Sequence, residues 1–593
     1  MPAGKMLGRK WPPVVAAVVA AVLVFIVLPN PFRIPQNNPS AQAEYAPTTG
    51  PQADAPNANF GETALPQSAG IGAGGQGEGA LPGSPPPILQ QFKPRQKNCV
   101  GNPPRQTEDP LSPPCVPFFE GNNGGETFRG VTKDEIRIVF YNDRCCNGDM
   151  TEPYSTQDEG ACTYDFECEY IVRTVKAMLR YFQARYQTYG REVKLIAQKS
   201  SGDVGAACAS RASDAQQTVA EHDPFAVVHL VGGSSECYMQ EALKLGIASF
   251  GIQWPMTPEE YEKAAPYAWG FEPDLVTRTR WSASFICRKL RGETAKFSKD
   301  PVLSRSVRTF GFIRPEGDSR GPELREQAEI LEAELLRQCN MEFDSIKRFQ
   351  ARRIGAGSSE APDIMASFKR DGITTVVCYC IAVATEETVP AMMKAATGAG
   401  YFPEWYFDSS ERMDQPVWIQ QQGANDHTMF GATLAWREPE FRSQFWYQAY
   451  LSQEPDTKPN TRFGYDVYHL LLNLFQGTQG AGPDLGPETV ERGMFTFNYL
   501  DRKNPFVPIG GYGAYNADAV SDYTFLDTAM AWWWDPTGTP PGGRQAEGCM
   551  RVPRQGLRFY AGEWPRGDSD LFAESDPCSE DVREIADARA SDF

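Results

Sequence analysis

Histidine is nearly absent from this sequence: four residues in 593, scattered at positions 222, 229, 427 and 469. That scarcity leaves little for a histidine-rich metal site or for histidine-based catalysis. No GxSxG elbow, HExxH or Walker sequence is recognised, so nucleophile and metal chemistries are expected to lack their usual geometry. Basic residues are also in deficit, 57 against 75 acids for a net charge of −18. That balance argues against nucleic acid, whose phosphates demand clustered Lys and Arg. Aliphatic residues are sparse from Asn30 to about Phe128, where Pro, Gly, Ala, Asn and Gln dominate. Such composition cannot offset its own ordering entropy and predicts a flexible linker over 36–128. Gly72-x-Gly74-x-x-Gly77 has dinucleotide-fingerprint spacing, but no strand precedes it and no helix follows.

What the sequence does contain begins with an apolar run, Val14 to Leu28, preceded by Lys5, Arg9 and Lys10 and followed by Pro29 and Pro31. At 1.5 Å per residue the run covers about 22 Å, short of the roughly 30 Å hydrocarbon core unless Trp11 and Phe32 extend it. Two readings stay open for residues 1–35: an uncleaved anchor, or a signal segment cut near Ala41-Gln42-Ala43. Both put the bulk outside the cytoplasm, membrane-associated through 14–28 or secreted. The 14 cysteines agree. With no CxxC pair and no zinc spacing they fit disulfides in an oxidising compartment. Cys99 with Cys115, and Cys549 with Cys578, are plausible local pairs in core-poor sequence. Cys145 and Cys146 pair outward, to Cys162 or Cys168. Cys378 and Cys380 are expected as buried free thiols on one strand face.

From Gly130 the pattern becomes globular. Strands are expected at 135–141, 193–198, 226–231, 247–250, 307–313, 343–348, 373–379, 405–407 and 529–534. Helices are expected at 167–187, 209–220, 238–245, 275–290, 321–338, 362–370, 386–397 and 463–475. Strands alternating with helices, with apolar strand runs, imply mostly parallel sheets covered on both faces. Two rounds of the pattern predict a two-lobed α/β body over 129–540. Lobe 1 takes about 129–275 with part of 410–520; lobe 2 takes about 276–409 with the C-terminal part. Residues 541–593 are expected as an irregular acidic tail, in which Arg566-Gly567-Asp568 is an adhesion-type tripeptide only by chance.

The order of elements and their local words resemble the type I periplasmic binding proteins, more narrowly the branched-chain amino-acid-binding proteins of ABC transporters. Gly130 to Ile138 (GVTKDEIRI) is similar to that family's entry into its first strand. Phe225 to Ser235 (FAVVHLVGGSS) with Ala242 to Ser249 (ALKLGIAS), Tyr267 to Asp274 (YAWGFEPD), Val307 to Gly317, Val376 to Ala396, Phe463 to Phe475 and Gly510 to Pro536 continue it in order. The Pro-rich linker with its cysteine-bearing preface suggests an actinobacterial branch. The first cysteine is Cys99, so the lipidated cysteine common in Gram-positive members is excluded.

In open parallel sheets, ligands sit outside the carboxyl ends of strands. The strand at 226–231 opens into Gly232-Gly233-Ser234-Ser235 before a helix, where small residues, hydroxyls and helix N–H groups suit a carboxylate; the serines serve equally as N-caps. The resemblance implies that this loop grips the ligand. Tyr141 and Asn142 end the first strand and either line the cleft or pack a loop. Relatives carry a Ser/Thr-rich ligand loop where Gly251 begins Gly251-Ile252-Gln253-Trp254, so the aromatic and amide groups here depart from an α-amino-acid site. Asp318 falls at a family ligand position or caps a helix. Glu386 lies near the family's ammonium partner, or is a dipole partner in a first helical turn. Some relatives bridge the ligand loop by a disulfide, which implies Cys208 with Cys237. His229 and His469 are expected as packed core residues.

These readings converge on a non-catalytic solute-binding protein, with no cofactor and no metal. It closes on a small polar, amino-acid-like or other organic solute and serves an ABC permease as a monomer, without nucleic-acid partners. The alternatives are a sensor of the same fold working through a partner protein, and an envelope hydrolase.

Overall fold

The computed structural model describes residues 99–100, 104–106, 109–142, 147–153, 166–201, 208–230, 235–252, 256–316, 322–350, 359–379, 388–408, 426–437, 439, 441–513, 521–539 and 548–579. The chain divides into two compact units, Met1–Pro85 and Pro86–Phe593, and every described residue belongs to the second. The apolar segment 14–28 lies outside them. No described helix is long and apolar enough to cross a membrane.

Two sheets organise the body. In the first, β1 (Glu135–Asn142) lies between β3 (Glu192–Lys199) and β4 (Ala226–Leu230), followed by β5 (Ala248–Ile252) and β6 (Ala268–Gly270), all parallel. The two-residue β2 (Gly148–Asp149) adds an antiparallel edge to β3. Central β1 shows why the chain folds so: Ile136, Ile138 and Phe140 enter one core, and Val139 and Tyr141 enter another on the opposite face. Both faces are apolar because both are covered by helices. Helices α2 (Cys208–His222) and α3 (Ser235–Lys244) pack together on the Tyr141 side; α1 (Phe166–Arg185) packs with α10 (Thr461–Ala481) on the other.

The second sheet repeats the plan. β7 (Phe310–Glu316) lies between β8 (Ser345–Gln350) and β9 (Thr375–Cys378), then β10 (Glu404–Phe407) and β11 (Thr428–Thr433), again all parallel. Helices α5 (Leu275–Phe285) and α6 (Pro322–Cys339) pack together, as do α7 (Ala361–Arg370) and α8 (Thr388–Gly398). Numbered by appearance, each sheet has the order 2-1-3-4-5, which makes the fold a doubled, doubly wound α/β architecture. The expected helix at 275–290 is α5 followed by a π turn, Ile286–Leu290. The sequence reading missed β6 and β11, the last parallel strand of each sheet, and α4 (Pro258–Ala264), α9 (Phe445–Leu451) and α11 (Pro487–Met494).

Apart from these sheets, β12 (Asn498–Tyr499) and β13 (Gly510–Gly511) pair antiparallel. Two terminal segments differ from expectation. Antiparallel β14 (Ala529–Asp535) pairs with β11, and β15 (Cys549–Arg551), β16 (Arg558–Phe559) and β17 (Cys578–Ser579) extend that sheet. The expected irregular tail therefore contributes three short strands to that sheet. Asp568 of the Arg-Gly-Asp tripeptide is buried, 2.6 Å from Lys296 and 2.7 Å from Arg308, so it is not a solvated recognition residue. At the other end, residues 109–115 of the expected linker pack on α10. The Tyr468 hydroxyl donates to Asp109, Gln476 donates to the Leu111 carbonyl and Gln479 to the Pro114 carbonyl. Disulfides Cys99–Cys115, Cys549–Cys578 and Cys287–Cys339 are present. Cys237 and Cys378 are disulfide-bonded too, which corrects the reading of Cys378 as a free thiol. The side chain of Cys208 lies outside the described set, as do Cys145, Cys146, Cys162 and Cys380.

Candidate functional site

A 2-1-3-4-5 sheet has one topological switch point, where successive crossovers leave on opposite faces and open a crevice at the strands' carboxyl ends. Here the switch points fall between β1 and β4 and between β7 and β9. In the first, Asn142 is level with Leu230 and Lys199; in the second, Ile313 is level with Cys378. The loops leaving these ends contain Gly233, Ser234, Asp318 and Glu386, all outside the described residues. Ser235 begins α3, with only its backbone described.

Tyr141 is fully buried and turned into the α2/α3 layer, where its ring stacks on Tyr238 with centroids 3.6 Å apart. Its hydroxyl donates to Asp214 at 2.6 Å and accepts from Arg211 at 3.2 Å. Burial, reinforced by Asp214, pushes that hydroxyl far above the usual tyrosine range and keeps it a donor. Asp214 also accepts the Ser201 amide at 3.0 Å. Strand alternation explains the outcome: Tyr141 shares the α2/α3-facing side with Val139, and its hydroxyl is engaged in that layer. Asn142 is buried, donates to the Gln198 carbonyl at 3.3 Å and offers its own carbonyl to Ser200 at 2.7 Å.

Gly251 packs against α10. Its φ is +68°, and a Cβ there would lie 2.1 Å from Leu470 Cδ2 of α10. The register shifts at this point of β5, so the glycine forms a bulge that admits the helix. His229, in β4, is buried against Tyr238, and neither ring nitrogen has a hydrogen-bond partner among the described residues. Burial lowers its pKa to about 4, so it is neutral imidazole.

On the second sheet the Tyr379 hydroxyl donates to Asp408 at 3.2 Å, and both residues are buried one position beyond the carboxyl ends of β9 and β10. The sequence reading passed over this pair. Their place directly after apolar strand runs was the available signal. It also missed a spacing, Gly317-Asp318-Ser319-Arg320-Gly321, which has the GxSxG form between a strand and a helix. Among the described residues no histidine ends a strand of that sheet. His427 precedes β11 at the opposite end, held by Thr397 at 2.9 Å. No group of three or more His, Cys, Asp or Glu among the described residues could hold a metal ion.

Three segments carry the chain between the sheets: 271–274 after β6, 434–444 after β11, and 524–528 before β14. The first, together with Gly270 at the end of β6, and the third, together with Tyr523 before it, are bound to each other by Gly270 to Tyr523 at 2.9 Å, Phe525 to Gly270 at 3.1 Å and Leu526 to Phe271 at 3.1 Å. Phe271 stacks on Phe525, and His469 of α10 contacts both Phe271 and Trp436 of the second segment.

No protein-family model matches the chain, and no curated protein matches it. Among solved structures it is similar to a leucine-, isoleucine-, valine-, threonine- and alanine-binding protein from Brucella ovis, at 11% identity, covering 74% of this chain and 98% of that one, TM-score 0.49. It is also similar to an ABC-transporter solute-binding protein from R. palustris in complex with 4-hydroxybenzoate, at 11% identity, covering 74% and 100%, TM-score 0.47. A periplasmic binding protein from Burkholderia mallei matches at 11% identity, covering 72% and 95%, TM-score 0.46.

Proposed function

We propose that this chain is an extracytoplasmic solute-binding protein of the type I periplasmic-binding class, which closes two lobes on a small polar organic ligand and presents it to an ABC permease. The observation that carries the reading is the repeated 2-1-3-4-5 sheet, with its two switch-point crevices, linked by three adjacent crossing segments. Ligands bind at such crevices, and a short multi-strand linkage suits hinge closure. Asn142, Gly233, Ser234, Ser235, Asp318 and Glu386 are the proposed contacts, with Tyr379 and Asp408 added from the second sheet. Tyr141 and Gly251 hold the crevice wall. The chain acts as a monomer, held at the membrane by residues 14–28 unless that segment is cleaved.

Isothermal titration of the purified protein against amino acids, amides and small aliphatic and aromatic acids tests the reading. Saturable binding weakened at least tenfold by Ser234→Ala or Ser235→Ala is the expected result, equivalent to about 1.4 kcal/mol. Absence of binding across the panel, or binding indifferent to both serines, refutes it. The GxSxG spacing gives the hydrolase alternative one specific handle: ester turnover abolished by Ser319→Ala would replace the binding reading.

A further inference from the structure

Arg558 is a fully buried guanidinium that donates to neutral acceptors among the described residues. It belongs to β16, within the segment that composition marks as irregular tail. Its Nη1 donates to the Ala435 carbonyl at 2.5 Å and its Nη2 to the Leu434 carbonyl at 3.0 Å, both on the second crossing segment. Its Nε donates to the Thr528 hydroxyl at 2.9 Å, and Nη2 also reaches the Thr528 carbonyl, on the third segment. Burial lowers its pKa to about 9.

The placement is specific. The β11–β14 ladder ends at Thr433 and Met530, and from there the second and third segments run on between the sheets. Where the first and third segments are held by backbone hydrogen bonds, the Arg558 side chain, from elsewhere in the sequence, bridges the second to the third. A guanidinium suits this because its planar fork can serve several carbonyls at once, which no apolar residue of that size can do.

We propose that Arg558 is a positioning residue of the hinge: the C-terminal strands form a clasp that fixes the second crossing segment to the third and so limits how far the lobes swing. This rests on the closing motion proposed above, but the test needs no ligand. Spin labels on unnatural side chains at Lys244 of α3 and Arg370 of α7, both exposed, report the distance between lobes in the full chain. Pulsed dipolar spectroscopy of Arg558→Met is expected to broaden and shift the ligand-free distance distribution relative to wild type, with faster hydrogen exchange at residues 434–437. A merely structural role would lower the melting temperature and leave the distribution of the folded protein unchanged, and that result overturns the proposal. Should Arg558→Met fail to fold, Thr528→Val, which removes the hydroxyl that accepts from Nε and donates to the Ile509 carbonyl at 3.4 Å, decides by the same two outcomes. A chain that binds no solute yet shows the broadened distribution keeps the clasp and loses the transport reading.

Discussion

Arg308 and Glu404 form a buried, two-bonded ion pair at the amino-terminal end of the second sheet, Nε to Oε2 at 2.7 Å and Nη2 to Oε1 at 3.0 Å. Glu404 also accepts the Phe297 amide and the Thr375 hydroxyl, while Arg308 reaches Asp568 of the C-terminal segment. Burial works against the charged guanidinium, but Glu404 and Asp568 outweigh it and raise the pKa of Arg308. Removing one partner strands a charge in the interior. Arg308→Met is therefore expected to cost roughly 3–5 kcal/mol, measured by urea denaturation. The paired change Arg308→Met with Glu404→Leu is expected to cost less than the single one, since no charge is left unpaired.

His229 supplies a pH dependence. Its folded pKa of about 4 lies below the ordinary value of 6.5. Above pH 6.5 both folded and unfolded states hold neutral imidazole and the residue contributes no slope. As pH falls from 6.5 towards 4 the unfolded chain takes up the proton and the folded chain does not, so stability declines. At about 1.4 kcal/mol per unit, the loss reaches about 2 kcal/mol by pH 5. Unfolding free energies at pH 7, 6 and 5 should show a shallower decline in His229→Phe than in wild type. Equal slopes would mean that the ring gains a proton partner in the fold.

Most of the architecture was legible because its signal is local. Apolar runs such as Phe225 to Val231 and the periodic face of Phe463 to Phe475 announce strand and helix without reference to the rest of the chain. β11 was missed because Thr428–Thr433 carries a glycine, Gly431, which a strand pattern discounts; the structure needs it, since a Cβ would sit 1.6 Å from the Phe407 carbonyl oxygen. The C-terminal strands were unreadable for another reason. β15 to β17 are two or three residues each, and their order comes from distant partners: Lys296 and Arg308 for Asp568, and Leu434, Ala435 and Thr528 for Arg558. At the site, the strand ends were foreseeable but side-chain direction was not. Tyr141 turned away from the crevice, and Asp408 escaped notice because no local pattern sets it apart.

Gly251→Ala separates a packing role from a ligand role. The added methyl meets Leu470 and forces a positive φ on a residue with a side chain, two effects that together cost roughly 2–4 kcal/mol. Leu470→Ala opens space next to the new methyl, so Gly251→Ala with Leu470→Ala is expected to be less destabilised than the sum of the two single variants in thermal melts. Strict additivity would show that the contact is not what constrains the position.

Cys287 and Cys339 tie the π turn after α5 to the last turn of α6 across 52 residues of sequence. Closing a loop of that length lowers unfolded-chain entropy by an amount worth up to about 4 kcal/mol. Cys287→Ala with Cys339→Ala is expected to lose about 2–4 kcal/mol in oxidising buffer. In reductant the difference from wild type should vanish, which distinguishes loss of the crosslink from loss of two packed side chains.

Asp274 stands where the first crossing segment becomes α5. It is fully buried and caps the helix, accepting the Val276 and Thr277 amides at 2.9 Å each and the Thr277 hydroxyl at 2.6 Å. The Ser521 amide approaches the same carboxylate at 3.4 Å, so the cap also touches the chain leading into the third segment. Asp274→Ala removes an N-cap, typically about 1 kcal/mol, and leaves several buried donors unpaired at roughly 1–3 kcal/mol more. Asp274→Ser keeps a capping oxygen but loses the second one, so it should recover the helix and not the link to Ser521. If the cap is its whole role, Ser restores the melting temperature fully. If it also couples the crossing segments, the Ser variant melts nearer to wild type yet exchanges faster at residues 521–525.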